Sequence, residues 1–326
     1  MEYYVSSIIG SKQQQRGCPC QDAYRILNDK QPIIMAIADG HGGEAYCRSD
    51  IGASIACSSA VEMAQITDFS DLPSAIKRHY DLQVQKHLSE NPLNEDEKSL
   101  LGENVPAVAY GATLLLAIIN DDKVQVLQIG DGEIHVLGSN GTFLRPLEED
   151  EDCFNNFTSS LCYTEEEAIK HFRLLQYDEK PAAIFMFSDG YKSPYSRPYK
   201  LAGAVVKNED ISAVAKAGEH GDDQTILIAY DRKLIDTDTF NIGFEKTIAA
   251  CNAEIIHLQK KAQIEKIEQE IRANEEFLAL AEERIEQFKE KGETDRVDAL
   301  EELSERKKQT LNLFRERLAE LCENSD

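Results

Sequence analysis

Three apolar runs of the chain end at an aspartate that is followed at once by glycine. The runs IIMAIAD, KVQVLQIGD and AAIFMFSD end at Asp39, Asp131 and Asp189. Apolar runs of this length, rich in β-branched residues and bounded by Gly, Asp or Asn, are typical of buried strands. One aspartate at a strand end is ordinary turn chemistry. Its repetition on three strands predicts a layered β fold in which the acids converge.

Two more acidic positions and two more apolar runs extend this pattern. Asp222 and Asp223 stand just before the run QTILIAY, and Asp22 follows a turn-like Gly-Cys-Pro in PCQDAY. The run GATLLLAIIN supplies a further strand, and segments with helical spacing lie between the strands. Two helical segments follow one another before the next strand pair, so the order favours α+β layers over a strict βαβ alternation.

The converging acids predict a metal centre. Carboxylates brought together repel one another unless a cation neutralises them. Mg²⁺ and Mn²⁺ prefer oxygen ligands, and the scarcity of His and Cys at these positions disfavours zinc. Two such ions can activate a water for in-line displacement at phosphorus. His41, two residues after Asp39, is the candidate general acid for the departing alkoxide; the alternative is a hydrogen-bonded turn residue.

Charge and cysteine usage restrict the partners and the compartment. The net charge of −24 argues against nucleic acid and anionic membranes as main partners. The eight cysteines are scattered without a repeated C-x-x-C, which fits reduced thiols and predicts a cytoplasmic protein. No apolar run is long enough to cross a bilayer, and the N-terminal MEYYVSSIIG does not resemble a signal peptide.

The composition changes from about Glu245, after which proline is absent and glycine occurs only at Gly292. Apolar residues then recur in alternating steps of three and four, with polar interruptions at Asn274, Ser304 and Lys307. These apolar positions are Ile264, Ile267, Ile271, Leu278, Ala281, Ile285, Phe288, Val297, Leu300, Leu311, Phe314, Leu318 and Leu321. The pattern predicts an antiparallel coiled-coil hairpin over residues 245–326, as against one bent helix packed on the first domain.

Two functions are open to this hairpin. It can form a homodimer interface or a platform for a protein partner, and we expect Asn274 to fix register or pairing at some cost in stability. The remaining residues, 1–240, form the predicted catalytic domain.

The order of the motifs QDA, DGHGG, GAT, GDG, SDG and DDQT resembles that of the metal-dependent protein phosphatases of type 2C. The resemblance spans about residues 3–230 and is nearest to compact bacterial members whose first motif reads PCQDA. It implies a β-sandwich of two antiparallel sheets flanked by helices, with a dinuclear Mn²⁺ or Mg²⁺ centre at one end. The helical tail lies outside the resemblance.

The resemblance also implies a role for each acid. Asp39 would bridge two metal ions, and Asp22 with the Gly40 carbonyl would complete one of them. Asp189 and Asp222 would hold the other, and Asp131 with Asp189 would bind a third, weaker ion. His41 would match the general acid. Asp222 is preferred over Asp223 because the family's metal acid lies three residues before a Thr or Ser, here Thr225.

One position departs from the family pattern. Relatives carry a basic residue that binds substrate phosphate about nine residues before the first Asp, where this chain has Gln13. Lys12 and Arg16 flank that position and are the candidate phosphate ligands. The implied function is Mn²⁺- or Mg²⁺-dependent hydrolysis of phosphoserine and phosphothreonine in a phosphoprotein that a cognate kinase produces. The alternatives are a pseudo-phosphatase scaffold and a hydrolase of small phosphoesters.

Overall fold

The chain divides into two compact units, Met1–Ile248 and Ala249–Asp326. The computed structural model describes residues 1–147, 158–191, 197–216, 221–235 and 237–323. No helix in these ranges is both long and apolar enough to cross a membrane.

Two five-stranded antiparallel sheets form the first unit. Sheet I contains, in spatial order, β1 (Glu2–Ile8), β10 (Gln224–Tyr230), β9 (Ala183–Phe187), β6 (Glu133–Leu137) and β7 (Phe143–Leu144). Sheet II contains β2 (Asp22–Leu27), β3 (Ile33–Asp39), β4 (Leu114–Ile119), β5 (Val124–Ile129) and β8 (Arg173–Tyr177). The five apolar runs of the sequence are β3, β4, β5, β9 and β10, so the strand predictions are confirmed.

Helices cover the outer faces of both sheets. The helices of this unit are α1 (Ser11–Arg16), α2 (Ser49–Met63), α3 (Leu72–Glu90), α4 (Glu95–Leu101), α5 (Glu165–His171), α6 (Arg197–Lys207) and α7 (Ile211–Ala215). Side chains of α2 and α3 pack with alternate residues of β3 and β4, and those of α6 and α7 pack with β9 and β10.

The inner faces of the two sheets share a third apolar core. Met35 and Leu115 of sheet II contribute to the same cluster as Met186 and Leu227 of sheet I. The central strands are therefore buried on both faces, which explains why they read as continuous apolar runs rather than as an alternating pattern. The predicted sandwich of two antiparallel sheets with flanking helices is confirmed.

The sandwich brings the predicted acids to one end. Asp22 begins β2 and Asp39 ends β3, and these two strands are antiparallel. Asp131 follows β5, and the end of β5 pairs with the start of β4. In sheet I, Asp189 follows β9 and Asp222 precedes its antiparallel neighbour β10.

The second unit contains helix α9 (Thr294–Glu323) and the part of helix α8 (Thr237–Glu290) from Ala249 onward, and these two helices pack antiparallel. They meet at Gly292, whose φ of 70° is left-handed and suits glycine. Ion pairs join Glu275 to Arg315 at 2.6 Å and Lys289 to Glu301 at 3.1 Å, as two antiparallel arms require. The predicted helical hairpin is confirmed and a single bent helix is excluded, while its coiled-coil packing remains a prediction.

The seam of this hairpin is the least exposed part of the second unit. Ala281, Ile285, Val297 and Leu311 are buried, and Asn274 is buried with them. The side chain of Leu321, also predicted in the seam, lies outside the described residues. The composition change near residue 245 falls inside α8, because that helix starts at Thr237.

Candidate active site

A cleft of 630 Å³ opens at the end of the sandwich where the acids meet. Its walls include Asp39, Asp131, Asp189 and Asp222, together with Gly40, His41, Lys12 and Arg16. Asp22 does not line the cleft and lies behind Asp39, its directly opposed partner in the β2–β3 ladder. The structure thus gathers all nine predicted site residues at this end, eight of them on the cleft surface.

Asp22 is held from sheet I. The Ser188 hydroxyl donates to its Oδ2 at 2.7 Å, while its Oδ1 is buried and accepts no hydrogen bond from the described residues. Burial raises the pKa of the Asp22 carboxyl from an ordinary 3.8 to about 7, and the charges of Asp223 and Asp189 add to the effect. Asp22 is therefore a carboxylate that lacks a counter-charge.

The Asp39 carboxyl also has a raised pKa, and its shift is larger than that of Asp22. Burial raises its pKa well above the usual range, and the charges of Asp22, Asp189 and Asp131 act in the same direction. Its backbone is fixed, because the Asp39 N–H donates to the Thr113 hydroxyl at 3.0 Å and the Thr113 N–H donates to the Asp39 carbonyl at 2.8 Å. A cation among these acids would reverse the direction of each shift.

The backbone after Asp39 is held against the segment before β4. Gly40 pairs with Ala112 in an isolated bridge, and the His41 N–H donates to the Gly111 carbonyl at 3.1 Å. The two hydrogen bonds that flank this bridge use the carbonyls of Asp39 and Gly111. Neither bond uses the Gly40 carbonyl, and Gly40 itself lines the cleft.

The two acids of the DDQT motif have different surroundings. Both carboxylate oxygens of Asp223 accept backbone N–H groups, from Gly10 at 2.7 Å and from Gln21 at 2.6 Å. Asp223 is 2% exposed and ties two loops together. Asp222 is on the cleft wall, and Gly10 approaches its backbone so closely that a Cβ at Gly10 would lie 2.3 Å from the Asp222 carbonyl carbon. The geometry favours Asp222 as the ligand and Asp223 as a structural residue.

His41 projects into this acidic setting with a free ring atom. Its Nε2 is buried and has no hydrogen-bond partner among the described residues, and its ring meets Tyr46 edge-on at 4.8 Å between centroids. Burial lowers the pKa of His41 to about 4, against the opposing charge of Asp131. His41 is therefore neutral at pH 7 in the chain without metal or substrate.

The position of the missing basic residue is occupied by an amide that binds Asp222. The Gln13 Nε2 donates to Asp222 Oδ1 at 2.8 Å, and Lys12 Nζ lies 3.3 Å from Asp222 Oδ2. Arg16 stands at the end of α1 and lines both this cleft and a neighbouring cavity. Lys12 is thus committed to an acid of the cleft, whereas Arg16 is at the entrance.

The acids fit a divalent cation but do not surround one in advance. Within the described ranges, no three His, Cys, Asp or Glu side chains are placed as a ready metal cage. Ser188 and Gln13 hold Asp22 and Asp222 in hydrogen bonds that a metal would replace. The unpartnered Oδ1 of Asp22 and the mutually raised pKa values of Asp22 and Asp39 are what a hard cation with oxygen ligands would relieve.

Comparison with known families decides the relationship. The family model for protein phosphatase 2C matches residues 9–217, which is well over half of the chain. The chain belongs to the protein phosphatase 2C family. As a member of this family, the chain is a protein serine/threonine phosphatase. The family resemblance predicted from the order of the motifs is confirmed.

Solved structures show the same fold. A bacterial serine phosphatase superposes with a TM-score of 0.51 at 14% identity, covering 71% of this chain and 97% of that one. The serine/threonine phosphatase Stp1 from Staphylococcus aureus superposes with a TM-score of 0.50 at 12% identity, covering 71% of this chain and 95% of that one. The search of curated proteins found no match.

Several residues that hold this phosphatase 2C site together were not predicted from the sequence. Thr113 and Ser188 bind Asp39 and Asp22. Each is part of a motif, GAT or SDG, but their contacts depend on other strands. Tyr46 packs on His41, and nothing in its sequence position signals this contact.

Proposed function

We propose that this chain hydrolyses phosphoserine and phosphothreonine in proteins at a dinuclear Mn²⁺ or Mg²⁺ centre. The observation that carries the proposal is the half-buried, directly opposed pair of Asp22 and Asp39, with Asp189 and Asp131 close enough to raise the pKa of Asp39 further. Such a cluster is unfavourable without a cation. Family membership supports the reaction class.

The proposed ligands divide between two ions. Asp39 would be shared by both, Asp22 and the Gly40 carbonyl would hold one, and Asp189 and Asp222 would hold the other. Asp131 and Asp189 would hold a third, weaker ion. When bound, the ions lower the pKa of a shared water and so supply the nucleophile.

The chain's own residues bind and orient the substrate. Arg16 at the cleft entrance has the charge and fork geometry to bind the phosphate oxygens. Lys12, which lies 3.3 Å from Asp222 and lines the same cleft, would be a second phosphate ligand. The Nε2 of His41 is placed to hold a proton for the leaving oxygen, and a bound phosphate dianion would raise the lowered pKa of His41.

A weakly active scaffold is the second candidate. It is favoured by Gln13, which stands in place of the family's basic residue and binds Asp222. The retention of every metal acid favours the enzyme.

Phosphate release from a phosphothreonine peptide tests the choice. We expect activity that EDTA abolishes and Mn²⁺ restores, and that Asp39→Ala and Asp189→Ala both lose. A folded chain that is inactive with Mn²⁺ supports the scaffold. Hydrolysis of small phosphomonoesters but of no phosphopeptide supports a small-molecule enzyme.

The tail and the compartment are also proposed. Residues 245–326 would form a homodimer interface or bind a protein partner, which light scattering of the full chain and of a chain ending at 240 would test. A cytoplasmic location fits the described cysteines, all of which are free thiols: Cys18, Cys20, Cys47, Cys57 and Cys162. A cognate serine/threonine kinase fits the proposed substrate.

A further inference from the structure

A second cavity adjoins the catalytic cleft and is larger than it. Its volume is 910 Å³, near the upper end of the roughly 300–1,000 Å³ that ligand pockets commonly enclose. Gln13, Arg16 and Tyr46 line both cavities, so the two lie side by side at these residues. We call this second cavity the side groove.

The far part of the side groove is apolar and acidic. Pro19, Ile51 and Leu100 form its apolar surface, and Leu100 is 46% exposed. Glu44 and Asp50 line the side groove but not the catalytic cleft. A cavity lined by an exposed leucine and two acids suits a long side chain with an apolar stem and a cationic end.

A third acid of the groove, Glu97, is already neutralised. Both of its carboxylate oxygens accept from Arg48, at 2.7 Å and 2.8 Å. Arg48 also donates to the Tyr110 hydroxyl at 2.8 Å and to the Asn91 carbonyl at 2.6 Å. This buried network fixes the groove floor, so an occupant would not pay for ordering it. The negative charge available to a ligand comes from Glu44 and Asp50, while Arg16 is a cation on the side shared with the cleft.

The junction of the two cavities carries an unused acceptor. The Oε1 of Gln13 is buried and accepts no hydrogen bond from the described residues, and the whole residue is only 7% exposed. Its Nε2 is committed to Asp222. A buried amide oxygen without a donor is costly, so a donor that reached this atom would be stabilising. A peptide N–H next to the phosphorylated residue would supply one.

We propose that the side groove binds the substrate segment next to the phosphorylated residue and selects a lysine or arginine there. The phosphate would lie in the cleft beside Arg16, and the basic side chain would lie along Leu100 with its charge near Glu44 and Asp50. Successive residues of an extended peptide are about 3.3–3.6 Å apart, so a neighbour one to three positions away can enter the groove. This inference rests on the proposed function.

Matched phosphothreonine peptides test the selection. Lysine, alanine or glutamate is placed at each of the three positions on either side of the phosphothreonine, and kcat/KM is measured with the full chain and Mn²⁺. We expect lysine on one side to raise kcat/KM by up to roughly fivefold over alanine, as exposed charge pairs allow, with glutamate lower still. The preference should weaken as salt is added.

The double variant Glu44→Gln, Asp50→Asn should lose this preference and keep its rate on p-nitrophenyl phosphate, which does not reach the groove. The control Asp121→Asn, Asp122→Asn removes the same charge from the exposed turn at the opposite end of β4, and should keep the preference.

Three results would count against the side groove. Equal rates on the lysine and alanine peptides would overturn it and leave the proposed function standing. A preference that survives in the Glu44, Asp50 double variant would overturn the assignment to these acids. Hydrolysis of p-nitrophenyl phosphate without hydrolysis of any phosphopeptide would contradict the proposed function, and the groove with it.

Discussion

Asp22 and Asp39 stand directly opposite each other in the β2–β3 ladder, with both carboxyls buried enough to raise their pKa values. Like charges at directly opposed positions of an antiparallel pair are unfavourable. The chain keeps the pair at the one end of the sandwich where three further acids arrive. This arrangement costs stability in the absence of a cation, and the cost can be measured.

The first prediction concerns pH and the metal-free protein. The pKa of Asp22 is raised from 3.8 to about 7 on folding, so the folded chain holds a proton that the unfolded chain releases near pH 4. The stability this provides is complete below pH 4 and is lost as the pH rises towards 7. In EDTA, the Tm of the wild type should therefore fall between pH 4 and pH 7 more steeply than that of Asp22→Asn.

At pH 7 and above in EDTA, the Asp22→Asn variant should be more stable than the wild type. Each kcal/mol gained in the free energy of unfolding should raise its Tm by about 2–4 °C. Asp121→Asn, at an exposed turn, is the matched control. Parallel pH profiles for the wild type and Asp22→Asn would show that Asp22 is not strained in the metal-free chain.

The second prediction separates proton donation by His41 from a bracing role. A general acid matters most when the leaving group is poor. His41→Ala should therefore lower kcat for phenyl phosphate by ~10² or more, and far less for p-nitrophenyl phosphate. The measurement is steady-state kinetics with Mn²⁺ for both substrates. Equal losses on the two substrates would assign His41 to positioning alone, through its contact with Tyr46.

The third prediction distinguishes the two candidate phosphate ligands. Arg16→Ala should raise KM for phosphopeptides strongly, because it removes the cation at the cleft entrance. Lys12→Ala should also raise KM but should not weaken Mn²⁺ activation, since it removes a cation that pairs with Asp222 at 3.3 Å and competes with the metal for that acid. Arg16→Lys is the matched control and should recover part of the binding, as a point charge without the fork geometry. An unchanged KM in both alanine variants would place the phosphate elsewhere.

The fourth prediction concerns Asn274 in the hairpin. Its Nδ2 donates to the Glu270 carbonyl at 2.7 Å, while its buried Oδ1 has no partner in the described part of the chain. Asn274→Leu should stabilise the helical unit by about 1–3 kcal/mol, since it removes an unsatisfied polar atom from the seam. It should also broaden the distribution of oligomeric states.

Thermal melts followed by circular dichroism and light scattering of the full chain measure these two effects. Asn312→Leu, at an exposed position of α9, controls for the added leucine and should change neither. A lower melting temperature for Asn274→Leu would contradict the account of the seam.

The strands and the order of the acids could be predicted from local sequence. Both depend on runs and motifs that are contiguous in the chain, such as the run from Ile33 to Asp39 that forms β3 unchanged. The heptad spacing likewise predicted the hairpin. The start of α8 at Thr237 could not be predicted, because composition changes only after the helix has begun.

The contacts that set the chemistry of the cleft were beyond sequence reasoning. Ser188 binds Asp22 across 166 positions of sequence, and Gln13 binds Asp222 across 209. The first pair joins the two sheets, and the second exists only after β1 and β10 have paired. The side groove was missed for the same reason, since its walls come from α2, α4 and the segment around α1.

The central claim is that these carboxylates form a catalytic metal centre, and counting bound Mn²⁺ alongside phosphate release tests it most directly. Equilibrium dialysis and a phosphothreonine-peptide assay would be run on the same wild-type and Asp39→Asn samples. We predict at least two Mn²⁺ ions in the wild type with activity that follows their binding, and loss of both binding and activity in Asp39→Asn. Full Mn²⁺ binding or full activity in Asp39→Asn would contradict the account.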